Sequence, residues 1–166
     1  MSPEKKFQKL FEQMHKLCEE QGWGDPFSYA RSREIHLAGI LGHQIATTYS
    51  GADAIDDDGE CEYKSTIASK INGAYNGISV QDTWAEQKKY LINDKIGKYP
   101  NHYIARYKGG KIVEVWKLKG SVVLSILLPK LEKDWKRKTQ GHRYKDPRLS
   151  GSLTTKEIHK FGTRIL

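Results

Sequence analysis

Six carboxylates lie close together in one short segment of this chain, and their spacing makes the segment a candidate metal site. They fall within residues 53–62, a stretch that contains no Lys or Arg, and Lys64 follows two positions later. Carboxylate oxygens are the ligands that hard divalent cations prefer, and such a cation can neutralise charge on a bound phosphate. The six residues are Asp53, Asp56, Asp57, Asp58, Glu60 and Glu62.

The register of a predicted β-hairpin decides which of these carboxylates lie together. Asp-Gly at 58–59 is a strong hairpin-turn signal, and side chains alternate between faces along each strand. A two-residue turn there puts Asp53, Glu62 and Lys64 on one face. A three-residue turn shifts the register by one residue and puts Asp56 in the place of Asp53. We predict Asp53, because Asp-Gly favours the two-residue turn.

An Asp, a Glu and a Lys on one face suit metal-assisted chemistry on a phosphate ester. Asp53 and Glu62 are predicted to bind magnesium, together with the backbone carbonyl of Tyr63. The ammonium group of Lys64 can orient or help to deprotonate a water molecule, or stabilise developing negative charge. Glu34, on the apolar face of the preceding predicted helix, is a further candidate ligand or base.

Two other interpretations compete with a catalytic site. Asp-Asp-Asp-Gly-Glu is common in surface turns, and a Glu-x-Lys triplet also arises by chance in charged proteins. A calcium-binding loop does not fit, because Gly59 at its sixth position puts Ala54 first and Ser65 twelfth, where Asp and Glu are required.

Two helices are predicted before the hairpin. Ser2 is a candidate N-cap with Pro3 at the first helical position, and this helix extends to Gly22. A second helix is predicted at about 28–47 and carries Glu34 on its apolar face. The apolar stripe of the first helix is predicted to be core and consists of Phe7, Leu10, Phe11, Met14 and Leu17.

After the hairpin, the sequence predicts a loop at 68–80, a helix, two strands, a long helix and a short helical piece in the tail. These last five elements are predicted at 82–93, 103–107, 111–118, 121–138 and 154–161. The order favours an α/β (α+β) fold, in which a central mixed β-sheet is flanked by helices. The length and the lack of a linker indicate a single domain over 1–166.

The chain as a whole is basic, with a formal net charge of +8 and a pI near 9.4. A basic surface around an acidic site favours a polyanionic partner such as nucleic acid. Two cysteines without metal-ligand spacing fit a reducing compartment, and no signal peptide or membrane-spanning segment is recognisable. We therefore expect a cytoplasmic protein with no membrane partner.

The order of these residues resembles the PD-(D/E)XK nuclease superfamily, in particular small type II restriction endonucleases. The similarity covers a core of about 30–118 and consists of a helix carrying Glu34, the segment 51–53, a turn, and the segment 62–65. Ala52 stands where the family has proline. The family uses an Asp, a Glu and a Lys at the positions of the three catalytic candidates, often with a glutamate on the preceding helix.

This resemblance implies a restriction-endonuclease-like core that hydrolyses phosphodiester bonds of double-stranded DNA with magnesium, for which manganese can substitute. It also implies a homodimer, in which two sites related by a twofold axis cut both strands. A structure-specific nuclease, such as a Holliday junction resolvase, is the alternative within the same class. A non-catalytic DNA-binding protein is the alternative from a different class.

Two segments are predicted to contact DNA. The stretch 130–148 holds eight basic residues against three acidic ones, and it opens a basic C-terminal region at about 130–166. The loop after Lys64 carries donors that can reach phosphates or base edges. The predicted DNA-binding residues are Ser65, Thr66, Lys70, Asn72, Tyr75, Asn76, Lys136, Arg137, Lys138, Arg143 and Lys145.

Overall fold

The computed structural model describes residues 1–47, 51–141 and 144–166. It contains a six-stranded mixed sheet, a two-stranded sheet and flanking helices, which confirms the predicted α+β architecture. The elements are α1 (Pro3–Gln21), α2 (Arg31–Leu41), β1 (Gln44–Ile45), β2 (Ala54–Asp56), β3 (Gly59–Thr66), β4 (Gly73–Ile78), α3 (Trp84–Asn93), β5 (Asn101–Lys108), β6 (Lys111–Lys119), α4 (Gly120–Thr139), β7 (Leu149–Leu153), α5 (Thr155–Phe161) and β8 (Thr163–Arg164).

The larger sheet has the strand order β1-β2-β3-β5-β6-β8, and the smaller sheet pairs β4 with β7. Neighbours β3 and β5 are parallel, whereas the other neighbouring pairs are antiparallel. Parallel neighbours need a crossover connection, and β4 and α3 lie in the chain between them. This crossover brings β4 against the face of the sheet that carries Lys64.

Each face of the larger sheet carries its own hydrophobic core. On one face, α2 packs with Leu37 buried against the strands. The other face is covered by α3, α4 and α5, and Leu127 is among the buried residues there. Side chains alternate along β3, so Tyr63 belongs to the first core while Glu62 and Lys64 point to the second face.

The hairpin between β2 and β3 turns one residue earlier than predicted. Asp56 pairs with Gly59, so residues 57–58 form the turn instead of 58–59. An Asp-Gly turn of the predicted kind needs positive φ at both central residues, but only Gly59 takes one, at 118°, and Asp58 does not. The register moves by two residues, an even number, so the same side chains stay on the same face.

The second helix is shorter than predicted. It spans Arg31–Leu41, against a prediction of about 28–47. Gly42 ends the helix with a left-handed φ of 71°, and its N–H donates to the Ala38 carbonyl. The chain then enters β1, where Ile45 is buried in the sheet.

The first helix begins as predicted but does not bury its apolar stripe. Pro3 opens the helix, and the Ser2 hydroxyl accepts a hydrogen bond from the Lys5 amide at 3.4 Å. The prediction that the stripe is core is wrong, because all five stripe residues are exposed and Cys18 is the buried residue of α1. Apolar spacing identifies a face that favours burial, but it does not identify what covers that face.

Three strands lie where the sequence predicts loop or tail. β4 falls inside the predicted loop 68–80 and pairs with β7, and the short β8 pairs with β6. Strands β4 and β7 contain Gly, Ser and Asn, residues that are uncommon in strands or frequent in turns. The amino-acid composition of β4 and β7 therefore does not identify them as strands.

The later helices lie close to their predicted positions. α3 begins after Thr83, which forms a capping box with Glu86, and α4 covers 120–139 against a predicted 121–138. Within the described part of the chain, no helix combines the length and the apolar character needed to cross a membrane.

Candidate active site

The hairpin brings Asp53 and Glu62 opposite each other. The pairing of Ala54 with Cys61, continued by one residue, sets Asp53 against Glu62. The Asp53 amide donates to the Cys61 carbonyl at 3.1 Å, and the Asp53 carboxylate accepts a hydrogen bond from the Tyr63 amide at 2.7 Å. Backbone and side-chain contacts thus hold Asp53 at the end of β2, beside Glu62.

Lys64 lies next to the same carboxylates. It follows Glu62 by two residues on β3, so both side chains point to one face, and its Nζ forms an ion pair with Glu62 Oε1. The two side chains are only 23% and 16% exposed. The Lys64 ammonium also lies 5.1 Å from the centre of the Tyr75 ring, at cation–π distance. One cationic and two anionic groups therefore meet on one side of the hairpin.

Burial changes the protonation of these groups. Removal of Asp53 from water, together with the nearby Glu62 carboxylate, raises the pKa of Asp53 to about 7, although Lys64 opposes this effect. Burial alone would lower the pKa of Lys64, but the Glu62 and Asp53 carboxylates outweigh it and hold that pKa above its ordinary value. The two carboxylates of the cluster outnumber its single ammonium group, and Lys64 is protonated at neutral pH.

A pocket of about 110 Å³ opens beside Glu62 and Lys64. β4 contributes Asn76 to its wall, and the segment after α3 contributes Lys95 and Tyr99. The volume is enough for a few water molecules or one phosphate-sized group. The other lining residues are Gly51, Tyr75, Gly77, Ile78, Ile96 and His102.

Beside Lys64, a buried Tyr–His pair supports the pocket wall. Tyr75 Oη lies 2.9 Å from His102 Nδ1, and His102 Nε2 lies 2.9 Å from the Ile96 carbonyl. A carbonyl only accepts, so Nε2 carries the proton and the Tyr75 hydroxyl donates to Nδ1. Burial lowers the pKa of His102 to about 4, which keeps the ring neutral. The pair holds the Tyr75 ring next to Lys64.

Glu34 lies on α2, in a small recess that it lines together with Tyr63 and Ser65, on the face of the sheet opposite to Lys64. It raises the pKa of both Asp53 and Lys64 through space. Its carboxylate pairs with Arg31 at 3.2 Å. Arg31 is buried and also donates to the Trp23 carbonyl at 2.7 Å, which anchors the start of α2.

Asp56, the alternative to Asp53, lies on the opposite face of the sheet. Its carboxylate accepts hydrogen bonds of 2.8 Å from Asn101 Nδ2 and from the Tyr103 hydroxyl. Asp58 also accepts from Asn101 Nδ2 at 2.8 Å. These contacts tie the turn to β5 and leave Asp56 away from Glu62 and Lys64.

Of the six residues predicted to bind DNA from segment 65–79, Tyr75 and Asn76 line the pocket. Asn76 is exposed there, whereas Tyr75 is 5% exposed and its hydroxyl is engaged with His102. Asn76 is therefore accessible to a ligand in the pocket, and Tyr75 supports the wall.

The other four residues of that segment do not line this pocket. Ser65 points to the opposite face from Lys64, and its hydroxyl is buried with no hydrogen-bond partner among the described residues. Asn72 donates to the Thr66 hydroxyl at 3.4 Å, and Lys70 is exposed.

Three predicted DNA contacts on α4 are engaged with carboxylates. Lys136 lies 2.7 Å from Glu132, and Arg137 lies 2.5 Å from Asp134. Both keep more than half of their side chains exposed. Lys138 is almost buried and lies 3.4 Å from Asp134, so its charge is directed into the protein.

Two further predicted contacts follow α4 in the chain. Lys145 is exposed, and Arg143 lies outside the described residues. The Arg137 guanidinium lies 5.3 Å from the centre of the Tyr144 ring, which puts a cation beside an aromatic side chain at this end of α4.

No local sequence pattern predicts three side chains of the pocket, namely Lys95, Tyr99 and His102. His102 is the neighbour of Glu62 in the parallel β3–β5 pair. Lys95 and Tyr99 reach the pocket because the chain crosses over before β5. The sequence shows only that Lys95 follows the helix predicted at 82–93. Its place in the pocket can be seen only once the path of the crossover is known.

The carboxylates present fit a magnesium ion. In the ranges 1–47, 51–141 and 144–166, no group of three or more His, Cys, Asp or Glu side chains is arranged to hold a metal. Magnesium, however, is commonly bound by one or two carboxylates together with waters and substrate phosphates. Asp53 and Glu62 meet this requirement, and the backbone carbonyl of Tyr63 follows Glu62 on the same strand.

No protein-family model matches this chain, and a search of curated proteins finds no similar sequence. The resemblance to PD-(D/E)XK nucleases is therefore carried by Glu34, Asp53, Glu62 and Lys64 alone.

Proposed function

We propose that this protein is a magnesium-dependent endonuclease that hydrolyses phosphodiester bonds of double-stranded DNA. The observation that carries the proposal is the meeting of Asp53, Glu62 and Lys64 on one side of the hairpin, where Glu62 and Lys64 line a pocket. Partly buried charges cost free energy to fold, so stability alone does not account for three of them in one place. Metal-dependent chemistry on a phosphate diester gives each of them a role.

Asp53 and Glu62 are the residues that would hold the metal, with the Tyr63 carbonyl as a further ligand. When bound, magnesium neutralises charge on the phosphate and makes water a better nucleophile, and manganese is expected to substitute. The hydrogen bond from the Tyr63 amide keeps the Asp53 carboxylate oriented.

Lys64 contributes a fixed positive charge at the pocket. The Glu62 carboxylate and the Tyr75 ring hold its ammonium group in place. A cation that is already positioned in a partly dry site stabilises negative charge developing on the phosphate more strongly than a cation in water. The same N–H donors can orient an attacking water molecule.

Charge favours nucleic acid as the substrate. The net charge is +8 although residues 53–62 carry six carboxylates. Lys95 and Asn76 line the pocket and can contact backbone phosphates. Lys136 and Arg137 are exposed enough to add phosphate contacts from α4. Within this class, the resemblance favours a sequence-specific type II restriction enzyme.

Cleavage of supercoiled plasmid DNA by the purified protein tests the proposal. We expect nicked and linear products with magnesium or manganese, and none with EDTA. Asp53→Asn, Glu62→Gln and Lys64→Ala are each expected to lower the cleavage rate by ~100-fold or more, because each removes a metal ligand or the stabilising cation. Discrete fragments from a long DNA would indicate sequence specificity, whereas preferential cutting of branched DNA would indicate a structure-specific nuclease.

Matched variants separate the site from its surroundings. Asp57→Asn removes an exposed carboxylate from the same hairpin, and Lys98→Ala removes a cation that pairs with Glu60 at 3.1 Å. Both are expected to cut like the native protein, with folding checked by circular dichroism. Native-like cutting by the three site variants would contradict the site. DNA binding without cleavage in either metal would favour a non-catalytic DNA-binding protein.

A further inference from the structure

The apolar stripe of α1 is the largest exposed apolar feature on any helix of the described chain. Its five side chains are between 43% and 69% exposed. Phe27 adds to it, because its ring stacks on Phe11 with a centroid distance of 3.9 Å and an interplanar angle of 2°. An exposed apolar face of this kind on a folded protein marks an interaction surface. The stripe comprises Phe7, Leu10, Phe11, Met14 and Leu17.

The spacing of the stripe matches a helix-pairing seam. Phe7, Leu10, Met14 and Leu17 alternate at intervals of three and four residues, which is the a/d pattern of a coiled coil over two heptads. Because this pattern lies on one face, a second helix is the partner shape that fills it. A helix of the same sequence presents the same seam.

The charges along α1 select the direction of pairing. The first half of the helix carries Lys5, Lys6 and Lys9 against Glu4 and Glu12, a net charge of +1, and the second half carries Glu19 and Glu20 against Lys16, a net charge of −1. Two parallel copies would bring like charges together, whereas two antiparallel copies bring each basic half against an acidic half.

We propose that α1 joins two copies of this chain by pairing antiparallel with α1 of the second copy. In this arrangement Phe7 packs against the partner's Leu17, and Leu10 packs against the partner's Met14, so that four apolar layers form about a twofold axis. Lys6 and Glu20 flank the same side of the stripe, and Lys6 then faces the partner's Glu20. The inference does not depend on the proposed nuclease activity.

The interface is large enough for a specific but modest dimer. Covering the stripe on both copies buries on the order of 1,000 Å² in total, near the lower limit for specific protein interfaces. Glu20 can change partner, because its ion pair with Lys16, at 3.6 Å, is exposed, and such surface pairs contribute little stability.

Sedimentation equilibrium of the full chain tests the proposal at the level of the stripe. The native protein is expected to form a dimer in the micromolar range, and the double variant Leu10→Glu/Met14→Glu is expected to be monomeric at ~100 μM. Ile67→Glu, which changes another exposed apolar residue outside α1, is the control and is expected to dimerise normally. A native protein that stays monomeric, or a stripe variant that dimerises like native, would overturn the proposal.

A charge exchange tests the antiparallel direction. Lys6→Glu alone places two glutamates together twice in each dimer, and Glu20→Lys alone places two lysines together twice. Each variant is expected to dimerise about tenfold more weakly than native. An equimolar mixture is expected to restore near-native affinity as a heterodimer, because every contact is then between opposite charges. A mixture that does not regain near-native dimer affinity would rule out this pairing. Unchanged melting temperatures of the two variants would show that they are folded.

Discussion

The buried carboxylate of Asp53 costs the native protein stability when no cation is bound. Its pKa of about 7 in the folded protein lies above the ordinary value of 3.8. Between these two values the native protein retains a proton that the unfolded chain has released. The stability associated with this group is therefore fully present below pH 3.8 and is lost as the pH rises through about 7.

Asp53→Asn is accordingly expected to stabilise the metal-free protein at about pH 8, by on the order of 3 kcal/mol. The gain should shrink as the pH falls from about 7 towards about 4, because the unfolded chain then also holds a proton on Asp53 and the two states no longer differ. Urea unfolding in EDTA at several pH values measures it, with Asp57→Asn as the exposed control. Added magnesium should raise the free energy of unfolding of the native protein more than that of the Asp53→Asn variant. A variant less stable than native at high pH would contradict this account.

His102 gives the opposite pH dependence. Its pKa of about 4 in the folded protein lies below the ordinary value of 6.5, because the ring is buried between Tyr75 and the Ile96 carbonyl. The unfolded chain takes up a proton as the pH falls below 6.5, while the native protein does so only near 4. Stability from His102 is therefore lost as the pH falls through this interval.

His102→Gln, which keeps one donor and one acceptor, is expected to remove this acid sensitivity. Relative to native, the variant should gain roughly 3 kcal/mol between pH 7 and pH 4. Urea unfolding across that range checks the prediction, and exposed His15→Gln is the matched control. Parallel pH curves for native and His102→Gln would show that the buried ring does not titrate as described.

The sequence could place the three catalytic candidates on one face of the hairpin, because side chains two residues apart along a strand share a face. The turn lies at 57–58 instead of 58–59, yet Asp53 still shares a face with Glu62 and Lys64. The Tyr75–His102 contact could not be found in this way. It joins residues 27 positions apart, and it depends on how the crossover between β3 and β5 is folded.

At the scale of elements, the hairpin turn depends on one backbone conformation. Gly59 takes φ 118°, which L side chains rarely adopt, while a Cβ at this position would meet no atom within 4 Å. Replacement of Gly59 therefore costs backbone strain and causes no clash. Because Asp53 directly precedes β2 and Glu62 lies on β3, strain in the turn reaches the candidate site through these two strands.

Gly59→Ala is expected to destabilise the protein by about 1 kcal/mol and to slow DNA cleavage. Gly39→Ala is the matched control, because Gly39 is exposed in α2, has open space around it and has no positive φ. That change is expected to be neutral or to stabilise by up to ~1 kcal/mol, since alanine favours helix. Urea unfolding of both variants gives the comparison, and equal effects would exclude turn strain as the cause.

Elements with strong local signals were predictable and those stabilised by distant partners were not. The capping box at Thr83 and the alternation in 111–118 are local, and α3 and β6 lie where they were predicted. Strand β4 exists because it pairs with β7, more than 70 residues later in the chain. The stripe of α1 shows the converse, since a strong local pattern predicted burial that the single chain does not supply.

At the scale of the whole molecule, a chain with a net charge of +8 carries a site that is itself acidic. The pocket beside Glu62 and Lys64 carries one exposed cation from outside the hairpin, Lys95. Nearby Lys98 is partly neutralised by its ion pair with Glu60. A DNA phosphate that enters the pocket should therefore be held by Lys95 more than by Lys98, although the two lysines are close in sequence and carry the same charge.

Salt dependence of DNA binding distinguishes these two lysines. Each phosphate contact releases condensed counterions, so its loss lowers the slope of log affinity against log salt by about 1. In a Glu62→Gln background that binds without efficient cleavage, Lys95→Ala is expected to weaken duplex binding and to reduce the slope by about that amount. Lys98→Ala should leave the slope nearly unchanged, because Lys98 does not line the pocket. Fluorescence anisotropy with labelled duplex measures both variants over a salt series. If Lys95→Ala and Lys98→Ala both kept the slope of the Glu62→Gln parent, the phosphate backbone would not enter this pocket. Duplex DNA would then have to bind at another surface, such as the basic end of α4.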